Sequence, residues 1–289
     1  MAGLLRRLDR TFKGNRLAIL GMVVTIVIVL LAVLAPAIVS FDDVTRPVVR
    51  EKFQPPSTEH IFGTDNLGRD VFNQLLWGSR TSLMIGLAGS LFSAVFGTAL
   101  GVIAGYGNRK LDLAVSYVID LLMSFPLLLL ALLIVAMIGP SNLNIVIAVG
   151  IAGLPRYARL MRALVMQLRS TEFVTAARSL GSGTLRVVLK HILPNAFAPI
   201  LVLLTLGLAS VIIVEASLSF LGLGPPPPSP TWGRLIAEGQ PYLRNAWWIS
   251  VFPGIAILTT VISLNLFGDG LRDILDPRTK NSISARKGE

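Results

Sequence analysis

Two acidic residues inside apolar stretches are the first candidates for chemistry in this sequence. Asp120 and Glu215 each lie in an apolar run long enough to cross a membrane. A charged side chain inside a membrane costs free energy, so such residues usually have a function. One interpretation places them on a translocation path or in a proton pair. The interpretation that we favour has each acid hydrogen-bonded inside a helical bundle, where it fixes the packing. A third, an intramembrane enzyme with paired carboxylates, requires the two acids to be in contact.

Other common kinds of site find little support in the sequence. The chain has no cysteine, which excludes disulfides and thiolate metal sites. His60 and His191 lie far apart in different loops, which favours surface positions over metal ligation. The string Gly181-Ser182-Gly183-Thr184 lacks the lysine of a phosphate-binding loop. We therefore expect no cofactor in this chain, neither a metal ion nor ATP.

The composition is that of a polytopic membrane protein. Of the 289 residues, 53% are apolar and 15% charged, and the mean hydropathy is +0.70, far from the usual values for soluble domains. The net charge of +10 follows from topology: with both termini and the second and fourth loops in the cytoplasm, the basic excess falls on those segments. On the opposite side of the membrane, basic and acidic residues balance. The basic charge therefore does not indicate nucleic acid as a partner.

The apolar runs predict six membrane-spanning helices in an all-α protein. Helices of this length cross a hydrocarbon core of roughly 30 Å at about 1.5 Å per residue. The basic, amphipathic residues 1–16 before them suit a helix in the cytoplasmic interface. A polar external loop follows the first span, and a cytoplasmic tail, 279–289, closes the chain. The predicted spans are 17–40, 81–106, 111–138, 142–155, 195–223 and 248–267, and the external loop is 41–80.

Two of these spans carry special features. Pro126 should kink the third span near Phe125. The fourth span is short, and Arg156, Arg159 and Arg162 follow it at helical spacing. We interpret it as a helix that leaves the membrane with a basic stripe. The alternative is a re-entrant segment, which would reverse the topology beyond it.

The long polar stretch from Glu172 to Asn195 separates two apolar regions and must act outside the membrane. Good helix formers predict a short helix from Glu172 to Leu180, with Gly181 as its C-terminal cap. A second short helix is predicted from Thr184 to Ile192, because Pro194 should prevent a simple continuation.

This stretch resembles the cytoplasmic coupling loop of the permease subunits of bacterial ABC importers. The matching residues are two alanines, a glycine four residues later and an Ile-Leu-Pro string: Ala176, Ala177, Gly181, Ile192, Leu193 and Pro194. The position of the family's glutamate is Thr175, and Glu172 lies three residues earlier. The resemblance implies contact with an ATPase subunit through Glu172, Thr175, Ala176, Ala177, Arg178 and Gly181. The alternative is an ordinary basic loop.

Motifs outside the coupling loop are similar to one subfamily, the C-type permease subunits of dipeptide and oligopeptide importers. The similarity runs from Leu17 to Arg278. It implies that Asp65, Arg69 and Asp70 help form a surface for a solute-binding protein, although they could equally order their own loop as turn and cap residues. The motifs are His60, Gly63-Thr64-Asp65, Gly68-Arg69-Asp70, Gly78-x-Arg80-x-Ser82-Leu83, Glu215 with Leu218 to Gly224, Trp232-Gly233, Pro253-Gly254 and Gly268 to Arg278.

The resemblance implies a type I ABC importer permease in a bacterial inner membrane, with both termini cytoplasmic. Residues 81–278 would form the permease core, with the coupling loop at 169–194. Its partners would be a homologous second permease, two ATPase subunits that bind ATP and Mg²⁺, an external solute-binding protein and membrane lipid. Peptides are the expected substrates, while nickel complexes, glutathione and oligosaccharides stay open. The rival function is a proton-coupled secondary transporter that uses Asp120 and Glu215 directly.

Overall fold

A computed structural model describes residues 15–275, which fold into helices joined by turns and by two longer loops, 46–70 and 221–231. No strand occurs in this part of the chain. The helices are α1 (Arg16–Ile38), α2 (Phe41–Thr45), α3 (Val71–Tyr106), α4 (Arg109–Met123), α5 (Leu127–Ile138), α6 (Asn142–Leu168), α7 (Glu172–Ser179), α8 (Thr184–Val187), α9 (Leu193–Phe220), α10 (Trp232–Gly239) and α11 (Trp248–Leu275).

The described helices confirm the prediction of an all-α protein with six spans. Five helices are long and apolar enough to cross a membrane, and α4 with α5 makes the sixth when the bent pair is counted as one span. The predicted interfacial helix at 1–16 lies almost entirely outside the described residues, as does the predicted tail. The cytoplasmic side of either terminus therefore stays a prediction.

The helix α3 begins ahead of the position that the sequence predicted. Residues 71–80 were assigned to the external loop, but the helix starts at Val71. The side chain of Asp70 accepts a hydrogen bond from the Asn73 backbone N–H and so caps the first turn. The sequence analysis named Asp70 among residues that could act as turn and cap residues, and the structure shows it as the cap of α3, whose first turns extend beyond the apolar run.

The centre of the bundle is the contact between α3 and α6. A Cβ added at Gly101 would lie 2.5 Å from the carbonyl oxygen of Ala158 and 2.6 Å from Cβ of Met161. Only glycine permits this approach, because any side chain would overlap α6. At the other side of the bundle, α1 packs on α11, where the Thr25 hydroxyl donates to Oγ of Ser263 at 3.2 Å.

The third span is broken rather than simply kinked. The axes of α4 and α5 differ by 92° across the break at residues 124–126. Pro126 has no N–H for the helical ladder, and the Ser124 N–H closes α4 on the carbonyl oxygen of Asp120. The predicted position of the kink agrees with the structure, while its size is larger than a proline alone produces in a continuous helix.

The prediction that Pro194 ends a helix was wrong. Thr184 to Phe220 is one helical path, because a π-helical turn at Val188–Ile192 connects α8 to α9. In this wider turn the Leu193 N–H donates to the carbonyl oxygen of Val188, and Pro194 falls in the first turn of α9, where a missing N–H does no harm.

The fourth span is a single helix. The helix α6 continues through Pro155 and carries the basic stripe to Leu168. This confirms the interpretation of a helix that extends past its apolar part, and it disfavours a re-entrant segment at this position.

Candidate functional site

The short helix α7 follows α6 directly and begins at Glu172, as predicted. It ends at Ser179, and Gly181 adopts a φ of +84°, which favours glycine. The Gly181 N–H donates to the Arg178 carbonyl at 2.9 Å, and the Ser182 N–H donates to that of Ala177 at 3.0 Å. These two bonds form a Schellman cap, so the predicted role of Gly181 as a cap is confirmed.

One side of α7 is fastened to the bundle. Val174 is fully buried among Met161 and Val165 of α6 and Val187. The guanidinium group of Arg178 donates from Nε to the Tyr106 hydroxyl at 2.8 Å and lies 4.8 Å from the centre of that ring. Because Tyr106 is the last residue of α3, α7 is connected to both α3 and α6.

The other side of α7 is open to its surroundings. Glu172, Thr175 and Ala176 are exposed. Leu180 and Leu185, in the turn beyond α7 and in α8, are 87% and 71% exposed. The sequence analysis missed these two leucines, although an apolar residue on either side of a polar Gly-Ser-Gly turn is a usable signal for an exposed contact surface.

The predicted residues of the 41–80 segment form an internal network at the start of α3. Asp65 is 1% exposed. Its carboxylate accepts from the backbone N–H groups of Leu67 and Arg69, from Nε of Arg69 at 2.6 Å and from Nε2 of Gln74 at 2.9 Å. We call Asp65, Arg69, Gln74 and Glu238 the Asp65 network. Asp65 therefore lies inside the loop, away from any surface that a second protein could touch.

Glu238 of α10 completes the Asp65 network and was missed from the sequence. Arg69 donates from Nη2 to Oε2 of Glu238 at 2.9 Å, and Arg234 donates from Nε to the other oxygen at 2.7 Å. The loop is thereby joined to a helix that is distant in sequence. Asp70 caps α3 and contacts Nδ1 of His60 at 2.9 Å. These contacts support the alternative stated above, that the three predicted residues order the loop.

The structure gives Asp120 and Glu215 different surroundings. Asp120, on α4, accepts from Nη2 of Arg159 at 2.7 Å, and both side chains of this pair are more than half exposed. Glu215, on α9, is fully buried and accepts from the Ser219 hydroxyl at 2.7 Å. Because each acid has its own partner on its own side of the bundle, the structure does not bring the two together as a catalytic pair.

A second ion pair joins α4 to α6. Arg162 contacts Asp112 through two parallel bonds, Nε to Oδ1 at 2.5 Å and Nη2 to Oδ2 at 2.9 Å. Such forked pairs are the strongest that arginine makes with a carboxylate. Together with the Arg159–Asp120 pair it holds α4, of which only Ile119 is buried. The sequence predicted that the arginines form a stripe, but did not identify their partners.

Within residues 15–275 no group of three or more His, Cys, Asp or Glu side chains could hold a metal ion.

The fold and the exposed helix α7 together define the class: a helical membrane protein with a short surface helix between two spans. Solved structures of ABC importers share this fold. The inward-facing methionine transporter MetNI matches with a TM-score of 0.59 and 18% identity over 70% of this chain and 97% of that chain. An amino acid ABC transporter matches with a TM-score of 0.55 and 17% identity over 71% and 95%.

Sequence comparison then gives the family. Residues 97–281 match the model of the binding-protein-dependent transport system inner membrane component, and residues 3–56 match the N-terminal transmembrane domain of oligopeptide transport permease C. The chain belongs to this family of inner-membrane transport permeases, and is an integral membrane protein.

Relatives match over almost their whole length. A putative peptide transport system permease of Brucella abortus is 48% identical over 94% of this chain and 91% of its own length. The dipeptide transport system permease DppC of Alkalihalophilus pseudofirmus is 42% identical over 96% and 90%. The oligopeptide transport system permease OppC of Bacillus subtilis is 38% identical over 93% and 88%. The predicted resemblance to C-type permeases is thus confirmed.

Proposed function

We propose that this chain is a permease subunit of an ATP-driven importer that carries peptides across the inner membrane. The observation that carries the proposal is α7: a short helix with an exposed outer side whose inner side is fixed to two spans by Val174 and Arg178. The full-length similarity to relatives named for dipeptide and oligopeptide transport supports the choice of peptides.

In this proposal α7 is the coupling helix. Glu172, Thr175 and Ala176 face a groove on a partner ATPase, and the exposed leucines on either side of Gly181 add apolar contact. Arg178 fixes the helix to the permease through Tyr106, and Ala177 belongs to the same coupling segment. Glu172, at the N-terminus of α7, supplies the acidic group that Thr175 lacks. Because Arg178 contacts the last residue of α3, a displacement of α7 is transmitted directly into the bundle.

The proposed complex has four further subunits or partners. A homologous second permease covers part of the apolar surface of the bundle, and lipid covers the rest. Two cytoplasmic ATPase subunits bind ATP and Mg²⁺ and carry out hydrolysis. An external solute-binding protein delivers the peptide to the end of the bundle at which α3 begins. There the Asp65 network holds the loop and α10 in position, and Asp70 holds the start of α3.

The orientation follows from the charges. Arg109 and Lys110 lie at the start of α4, next to the end of α3, and the segment 156–190 that includes α7 carries a clear excess of Lys and Arg over acids. This charge distribution favours the cytoplasmic side for both. Both termini then lie in the cytoplasm.

The direct test is transport by the purified complex in proteoliposomes. Peptide uptake should require ATP and the binding protein and should persist when a protonophore collapses the proton gradient. Glutathione, nickel complexes and oligosaccharides serve as competitors. Uptake by this chain without any nucleotide hydrolase, or uptake that the protonophore abolishes in the presence of ATP, would contradict the proposal and favour the proton-coupled carrier.

The orientation has its own test, since the natural chain contains no cysteine. Ala176→Cys and Glu59→Cys each introduce a single exposed thiol at opposite ends of the bundle. A membrane-impermeant thiol reagent added to spheroplasts should label the second variant but label the first only after lysis. Labelling of Ala176→Cys in intact spheroplasts would place α7 on the outer side.

A further inference from the structure

A polar cavity lies where α3 ends and α4 begins, against the last turn of α6. Its volume is about 210 Å³. The residues that line it include Gly105 and Gly107 from the end of α3 and the turn after it, Arg109 and Asp112 from α4, and Arg169 from the end of α6. The Asp65 network is at the other end of α3, so this cavity is a separate feature of the molecule.

The cavity carries an excess of positive charge. Among the described residues that line it, Asp112 is the only acid, and Arg162 engages both oxygens of its carboxylate at 2.5 and 2.9 Å. Arg169 donates from Nη1 to the Gly105 carbonyl at 2.9 Å, which holds the guanidinium group in place without cancelling its charge. Neither Arg169 nor the exposed Arg109 forms a salt bridge within the described part of the chain. Three guanidinium groups therefore meet one carboxylate, and the cavity suits an anion.

The position of the cavity indicates where the anion comes from. Tyr106 is the last residue of α3 and Arg109 is the first of α4, so two spans leave the apolar region of the membrane here. Lipid headgroups lie at this level. Lys110 is also exposed and extends the basic rim. Basic pockets between spans on the cytoplasmic side, which is the side proposed for this turn, bind the headgroups of acidic lipids.

An apolar stripe on α4 leads from the cavity into the membrane. Residues four positions apart lie on one side of a helix, and Arg109 is followed at this spacing by Leu113, Tyr117 and Leu121. These three side chains are 61%, 73% and 52% exposed. A basic group at the interface, continued by an exposed apolar stripe, matches the order of headgroup and acyl chain in a phospholipid. A free phosphate ion would use only the first part of this surface.

We propose that the cavity binds the phosphate group of an anionic phospholipid from the cytoplasmic leaflet. Arg109 and Arg169 donate charge-assisted hydrogen bonds to the phosphate oxygens, and an acyl chain lies along the exposed stripe of α4. The bound lipid joins the start of α4 to the end of α6. It does so beside Tyr106, to which Arg178 attaches α7. The inference does not depend on which solute the chain transports.

The first test measures headgroup selectivity. The assembled complex is purified in detergent and freed of lipid, and binding of dioleoyl phosphatidylglycerol and dioleoyl phosphatidylcholine is compared by native mass spectrometry. We expect the anionic lipid to bind at least about 10-fold more tightly, at about 5-fold for each of the two arginines. Arg109→Gln should lower this ratio about 5-fold. The matched control is Arg186→Gln, which removes an exposed arginine of α8 outside the cavity and should keep the wild-type ratio.

The outcomes of the first test are decisive because Arg109 is exposed, so its substitution should not prevent assembly. Equal affinity for the two lipids overturns the site, and so does a ratio that Arg109→Gln leaves unchanged. An excess of inorganic phosphate should displace little of the bound phosphatidylglycerol, since the acyl chain adds apolar contact. Complete displacement would assign the cavity to free phosphate and overturn the lipid.

The second test maps the position of the lipid. Phosphatidylglycerol with a photoreactive group on its headgroup is irradiated with the assembled complex, and labelled peptides of this chain are identified by mass spectrometry. Label is expected within residues 104–112 and 166–169. Label confined to other segments, or label in these segments only when the second permease is absent, would show that lipid does not occupy the cavity of the working complex. Failure of the lipid site leaves ATP-dependent peptide uptake intact, whereas failure of the proposed function leaves headgroup selectivity intact.

Discussion

The two ends of α3 carry charged residues that behave in opposite ways. Near Val71, the charged residues of the Asp65 network are paired with partners in the same chain. Tyr106 is at the other end of this 36-residue helix, about 54 Å away. There, Arg178 attaches α7 to Tyr106, and the other polar residues of α7 are exposed.

This difference distinguishes motif residues that stabilise the fold from motif residues that are available to contact a partner. Residues in the Asp65 network fix the position of a loop and of α10, and their effect on a partner is indirect. Residues on the outer side of α7 contribute little to the fold of the subunit and are available for contact. Substitutions at the first end should therefore act on stability, and substitutions at the second end should act on assembly.

The largest expected effect is that of Asp65→Asn. The substitution removes the buried carboxylate that Nε of Arg69 contacts and leaves the guanidinium group with Glu238 as its only acidic partner in the network. Breaking a buried pair costs about 3–5 kcal/mol. We expect a marked fall in the thermal unfolding midpoint of the purified subunit in detergent. Glu59→Gln changes an exposed acid in the same segment and should stay within about 0.5 kcal/mol of the wild type. Equal behaviour of the two variants would mean that the network is not a stabilising element.

An intermediate effect is expected at the cap of α7. In Gly181→Ala the new side chain must adopt the left-handed conformation, which costs roughly 1–2 kcal/mol. Hydrogen exchange should become faster at the Gly181 and Ser182 amides that form the Schellman cap, with the Asp65 network unaffected. Gly183→Ala is the matched control, because Gly183 has a φ of −67° and open space around it. Unchanged exchange in Gly181→Ala would show that the cap does not define the end of α7.

The smallest effect on stability is expected for Leu180→Ser combined with Leu185→Ser. Both side chains are largely exposed, so each substitution should change the free energy of unfolding of the isolated subunit by no more than about 0.5 kcal/mol. The unfolding midpoint should therefore shift only slightly. Recovery of the ATPase subunits in co-purification should nevertheless fall sharply. Leu243→Ser, an exposed leucine toward the other end of the bundle, should leave recovery normal. Normal recovery with the double variant would remove the leucines from the docking surface.

Local signals in the sequence predicted α7 well and the network poorly. Helix formers followed by Gly181 predicted both the helix and its cap, because these depend on residues within one or two turns. Glu238 was missed because it lies 169 positions from Arg69, and no local pattern connects them. The partners Asp112 and Asp120 were missed for the same reason. Pro194 was misjudged because the rule against proline assumes a regular α-helix, whereas a π turn supplies another bonding pattern.

The sequence alone determined the membrane class, the number of spans and the position of the surface helix, since apolar run length and local helix signals are sums over neighbouring residues. The tertiary structure alone decided which charged residues are enclosed and which are accessible. Enclosure depends on what packs against a side chain from distant parts of the chain. Charged residues of the same kinds therefore join two distant segments at Asp65 and form an exposed surface at α7.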